Sequence, residues 1–153
     1  MVAVLELFDK ITDILTQLAE LERDKAAAVR KDDLTALDKS LKQEQVLALS
    51  IRGLEQKRTD LLSQFGLLEL PLSDLPGKFP ADQRMEAKKT VDRLRDAYQI
   101  YRHAAEVARD TLECNLHEIE KILANAGVDP KNGPGYGSPD IEPPATMKTD
   151  FHA

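Results

Sequence analysis

The chain has 153 residues, 42% hydrophobic and 31% charged, with 5% aromatic residues, no Trp, 7 Gly and 8 Pro, which suits one domain of ordinary size. Its 21 Lys and Arg against 27 Asp and Glu leave a net charge of −6, a surface that repels phosphate and argues against nucleic acid as a partner. Many charges with few aromatics and few glycines also exclude an all-β fold, which needs β-branched and aromatic residues and frequent turns.

A single cysteine, Cys114, cannot close an intramolecular disulfide, and no Cys/His spacing resembles a zinc site, so the expected setting is cytoplasmic. The opening MVAVLELFDK places Asp9 and Lys10 inside what would have to be the apolar region of a signal peptide. No apolar run approaches the ~20 residues of a membrane span. The expectation is therefore a protein with no integral membrane association.

From Val4 the apolar residues follow a heptad: Val4, Leu7, Ile11, Ile14, Leu18, Leu21, then Lys25 and Ala28, with Phe8 and Leu15 widening the stripe. That spacing predicts a first helix over residues 3–30. In the stretch KDDL, Asp32 or Asp33 suits an N-cap, since a short carboxylate accepts the free amides of a new first turn. A second helix is expected over 34–65, its apolar set running from Leu34 and Leu37 through Ile51 to Leu62 and Phe65. That set covers about half the helix circumference, which is wider than one partner helix needs.

Gly66 fits a helix C-terminus that requires positive φ, and the segment GLLELPLSDLPGKFP, with three of the eight prolines, marks a connector over 66–81. A third helix is expected over 82–126. Its seam reads Ala87, Val91, Leu94, Tyr98, Tyr101, Ala105, Ala108, Leu112, Asn115, Ile119, Ile122 and Ala126, a length of roughly 65 Å. Such a helix belongs to an elongated coiled bundle, and the fold class is all-α: an elongated antiparallel three-helix coiled bundle over 1–127. From Asn125 onward stand five of the eight prolines and four of the seven glycines, with no apolar period. Residues 128–153 read as a disordered Pro/Gly-rich tail, with Tyr136 among isolated apolar groups in the manner of a short linear binding motif.

Catalytic chemistry finds little to build on, and no nucleophile has a recognisable base beside it. Glu113 with His117, and His117 with Glu120, have spacings that could place two ligands on one helical face. A di-iron bundle needs further Glu and His ligands from other helices, and the first two helices contain no His. The plainer reading is an exposed ion pair, so neither a metal nor another cofactor is expected. Asn115 in the apolar seam either fixes helix register or reaches solvent where the seam rotates. Tyr98 and Tyr101 read as core residues with hydroxyls at the edge. More informative are apolar residues off the stripes: Ile100, Val107 and Cys114 recur every seven residues on the far side of the third helix, and Val46 and Leu49 leave the broad face of the second. They fit an internal contact with a second neighbour, an open groove awaiting a client helix, or the interface of a homodimer.

The helix-turn-helix ending at Leu67, AAAVRKDDLTALDKSLKQEQVLALSIRGLEQKRTDLLSQFGL, resembles that of the flagellar export chaperones of the FlgN type. The likeness lies in the order of parts: a long amphipathic helix, a turn with Asp-Leu-x-x-Leu, a charged helix ending near Gly-Leu, then a long third helix. It continues through Asn115 and Leu116 into NGPGYGSPD, similar to a Gly-rich, Tyr-containing C-terminal segment of that family. The resemblance implies a cytoplasmic, non-enzymatic chaperone that binds the helical C-terminal regions of the hook-filament junction proteins, prevents their premature assembly and presents them to the cytoplasmic domain of the flagellar type III export gate. On that reading Val46, Leu49, Ile100, Val107 and Cys114 bind the client and Tyr136 meets the gate. The alternative is a structural coiled-coil adaptor or self-assembling scaffold.

Overall fold

A computed structural model describes residues 1–127. Three helices, α1 (Val2–Arg30), α2 (Leu34–Gln64) and α3 (Arg84–Asn125), run up, down and up. Their bounds lie within about two residues of those expected from sequence. The disordered-tail expectation for 128–153, and Tyr136 with it, lies outside the described residues.

The turns form where the caps require them. After α1 the Asp33 amide donates to Ala28 O (2.9 Å) and the Asp32 amide to Val29 O (3.2 Å), a Schellman pattern in which Asp32 occupies the left-handed region at φ 54°. The next residue starts α2, its carboxylate accepting from the Ala36 amide at 3.0 Å. Two adjacent aspartates thus end one helix and begin the next. At the end of α2, the Leu67 amide donates to Leu62 O (2.8 Å) and that of Gly66 to Ser63 O (3.0 Å), with Gly66 at φ 65°. Gly127, at φ 73°, follows the end of α3.

Helix α1 is the centre of the bundle. It packs against both α2 and α3, whereas among the described residues no α2 Cα lies within 8 Å of an α3 Cα. Its buried set is accordingly two-sided, adding Leu5, Ala19, Ala26 and Val29 to the heptad stripe. The breadth of the apolar set on α2 does not signal a second partner helix: only Ser40, Ile51 and Leu62 are buried there, and Leu34, Leu41 and Phe65 stay exposed. The Arg93–Asp9 ion pair (3.1 Å) sets the register of α3 beside α1 at one end. Further along, Ala26 and Arg30 lie across from Ala104 and Val107, so α3 runs parallel to α1 and antiparallel to α2.

The main core fills the end of the bundle at the start of α1. Val4, Leu7, Phe8, Ile11 and Leu15 meet Ile51 and Leu62 from α2 and Ala87, Val91 and Leu94 from α3. The connector is part of this core. A 3-10 turn at Leu75–Lys78 and the residue after it bury Leu75 and Phe79 among those side chains, and Arg84 Nε donates to Phe79 O at 3.0 Å. At the other end the buried residues are mostly small: Ala26 and Ala28 on α1, Ala104 and Ala108 on α3.

The regular seam of α3 does not stay covered. After Ala108 no residue of α3 is buried: Leu112 and Asn115 are half-buried, and Ile119 and Ile122 are exposed. Helix α3 has 42 residues and α1 has 29, a difference of roughly 20 Å at 1.5 Å per residue. Because α1 ends opposite Val107 to Thr111, the last turns of α3 have no helix across from them among the described residues.

Candidate functional site

A long furrow follows the line where α1 and α3 meet. Its first half is lined by Arg23, Ala26 and Arg30 of α1 and by Ile100, His103, Ala104 and Val107 of α3. The second continues from Arg30 and Val107 past Val29 and Asp32 to Cys114, Glu118, Ile119 and Ile122. The two hollows hold about 490 and 590 Å³. From Gln99 to Ile122 the furrow extends about 35 Å along α3. It exists because alanines at 26 and 104 let the helix backbones meet without filling the groove between them.

Three of the five off-stripe residues, Ile100, Val107 and Cys114, line this one groove; Cys114 is a free, exposed thiol. The structure does not bring Val46 and Leu49 to it. Val46 lines a separate furrow between α1 and α2, beside Gln17, Glu20, Leu21 and Asp24, and Leu49 is 68% exposed on α2. Ile119 and Ile122, read from sequence as seam, belong instead to the floor of the open groove. Only the length of α1 decides this, since periodicity identifies a face and not what covers it. Asn115 lines the same hollow past the end of α1, so it sets no register with that helix.

The groove lies near a buried polar cluster. Lys25 Nζ is 3.1 Å from Glu22 Oε2 and 2.8 Å from Glu44 Oε2, linking α1 to α2 at the heptad position that Lys25 occupies. Burial pushes the Glu22 carboxyl up to about 7, against the charge of Lys25 and with the help of Glu44. Burial alone would lower Lys25, but its hydrogen bond to Glu44 and the charge of Glu22 hold it above 10.5. Tyr101 of α3 is pushed up to about 12 by burial and then by the charges of Glu22 and Glu44. The three helices thus share one electrostatic cluster even though α2 and α3 are not backbone neighbours.

Glu113, His117 and Glu120 are all exposed on α3, and no group of three or more His, Cys, Asp or Glu among the described residues could hold a metal ion. No helix among them is long and apolar enough to cross a membrane.

These features define a slender all-α bundle with an apolar groove left open between two of its helices. The FlgN protein family model matches residues 1–140, and the chain belongs to that family, a family of flagellar export chaperones and not of enzymes. The chain matches no curated protein and no solved structure.

Proposed function

We propose that the protein is a cytoplasmic export chaperone whose α1–α3 groove holds the helical C-terminal regions of flagellar hook-filament junction proteins, preventing their premature assembly and delivering them to the export gate. The observation that carries this reading is the alignment of Ile100, Val107, Ile119 and Ile122 along one open furrow about 35 Å long. An amphipathic helix buries one stripe of side chains in such a groove, and an apolar strip this long is otherwise a liability in water. Client binding is assigned to Ile100, Val107 and Cys114 in the groove. Val46 and Leu49 form a separate, secondary patch on α2. Gate binding is assigned to Tyr136, an amphipathic side chain with little rotamer entropy to lose on docking.

The test is calorimetric titration of a junction protein into the wild-type chain and into the Ile100→Asp/Val107→Asp variant. Both residues are exposed, so helicity survives while binding is lost, because each new carboxylate would be buried without a partner in the complex. Unchanged affinity in a folded variant would refute the groove. Deleting 128–153 is expected to weaken binding to the gate domain and leave client affinity intact. The second reading is a self-associating coiled-coil adaptor, favoured by the exposed Leu34, Leu41, Val46 and Leu49 of α2. Light scattering separates the two: the chaperone forms a stoichiometric heterocomplex, the adaptor only complexes with itself.

A further inference from the structure

The charges along the groove are sorted. Arg23, Arg30 and His103 rim the half nearer the middle of the bundle, with no carboxylate among the lining residues there. Beyond Val107 the rim carries Asp32, Asp110 and Glu118, and Arg30 at the junction is the only cation among the lining residues of that half. None of Arg23, Arg30, Asp32, Asp110 and Glu118 forms an ion pair with another described residue. On a chain of net charge −6, two guanidiniums with no ion pair among the described residues, beside one apolar floor, are a local reversal of sign. Seven residues separate them on α1, so they stand on one wall about 10 Å apart along the axis.

We infer that the groove selects an amphipathic helix of about 23 residues by its charge gradient, and fixes the direction in which that helix lies: its acidic end sits against Arg23, Arg30 and His103, and its basic end against Asp32, Asp110 and Glu118. The inference rests on the reading of this groove as the client site and adds a selection rule to it. An apolar stripe alone is nearly symmetric end to end and leaves direction undetermined, whereas the two rims prefer opposite signs and disfavour the reversed placement by like-charge contact at both ends. Two full charges on the basic rim and three on the acidic one outweigh the half-charge of a helix terminus, which decays within one turn. A helix that is acidic at its N-terminal end therefore runs parallel to α3, and one that is basic there runs antiparallel.

Cys114 lines the acidic half and is the only cysteine of the chain, so it reports which end of a bound peptide lies beside it. The probes are two 23-residue synthetic helices with the same leucine stripe. One has Glu flanks in its N-terminal half and Lys in its C-terminal half; the other has the reverse. Each is made with a single cysteine, activated as a thiopyridyl disulfide, eight residues in from one end or the other, which is the spacing of Cys114 from Ile122 at the end of the groove. Thiol–disulfide exchange joins the peptide sulfur to Cys114 Sγ and releases the thiopyridine. At low salt, Cys114 is expected to capture the cysteine nearer the C-terminus of the first peptide and the one nearer the N-terminus of the second, each about ten-fold faster than the cysteine in the other half. The Arg23→Glu/Arg30→Glu variant is expected to lose that preference while keeping its helicity. Capture of the same end from both peptides, or of both ends equally, would overturn the charge rule and leave the groove standing. If neither peptide binds saturably or is captured, the groove reading falls, and the charge rule with it.

Discussion

Replacing Glu22 with Gln isolates the buried cluster at the centre of the bundle. Glu22 is 3% exposed and hydrogen-bonded to Lys25, which also reaches Glu44. Its carboxyl moves from 4.5 to about 7 on folding, so between those values the native state holds a proton that the unfolded chain has released. Stability therefore falls as pH rises through this window, and the contribution is gone above pH 7. A displacement of that size corresponds to on the order of 3 kcal/mol. Lys25, held above 10.5, stays charged throughout and adds no slope there. The amide introduced by Glu22→Gln would mimic the protonated acid at every pH. Urea unfolding at pH 5, 6, 7 and 8 should thus show wild type and Glu22→Gln converging at pH 5. At pH 8 the variant should be the more stable, its midpoint higher by about 1–2 M for a slope of ~2 kcal/mol/M. Curves that stay parallel across the range would show that Glu22 is ionised in the folded protein and that its burial is relieved by water.

Truncation tests the change in cover along α3. Leu94→Ala, at a position fully buried against α1, should cost about 2–5 kcal/mol, whereas Ile122→Ala, at 65% exposure, should lie within ~0.5 kcal/mol of wild type by thermal and urea unfolding. Phe79→Ala should cost about 3–5 kcal/mol, a value found in cores and not in linkers, and a loss under ~1 kcal/mol would place the connector outside the core. At the first turn, Asp33→Ala should cost about 1 kcal/mol through the lost cap, and Asp32→Gly should gain about 1 kcal/mol by relieving a left-handed aspartate; equal and opposite shifts in the urea midpoint would check both.

The three helices were legible because each carries a local signal: the heptad from Val4, the N-cap at Asp33 and the positive-φ Gly66, and the regular seam from Ala87. Other features depend on pairings far apart in sequence. Leu75 and Phe79 sit among prolines with no helical or strand period, so nothing local distinguishes them from a solvated loop, yet they close the core. Lys25 stood out at a heptad position, but its partner Glu44 lies 19 residues away on another helix. The same limit divided the proposed client set. The seven-residue recurrence of Ile100, Val107 and Cys114 was visible on one helix and held together in space. Joining Val46 and Leu49 to it required knowing that α2 lies on the other side of α1.

The distribution of side-chain size along the bundle connects stability to the groove. At the end that holds Phe8, Phe79, Ile11 and Leu75, all fully buried, each large side chain removed from water contributes about 1.5–3 kcal/mol. At the other end the interface of α1 and α3 is built from Ala26, Ala104 and Ala108, whose single methyl groups supply far less, and among the described residues no α3 side chain after Ala108 is buried. The cooperative core is thus concentrated away from the groove, so the last turns of α3 open at lower free energy than the rest. A helix laid along Ile100, Val107, Ile119 and Ile122 would supply the apolar area missing from that end, and ligand linkage would stabilise the occupied state in proportion to its affinity. Filling the groove with large residues in place of the alanines would raise the stability of the free chain and remove the site by the same act. On this reading, weak packing at one end of the bundle is the structural condition for binding another chain's helix there.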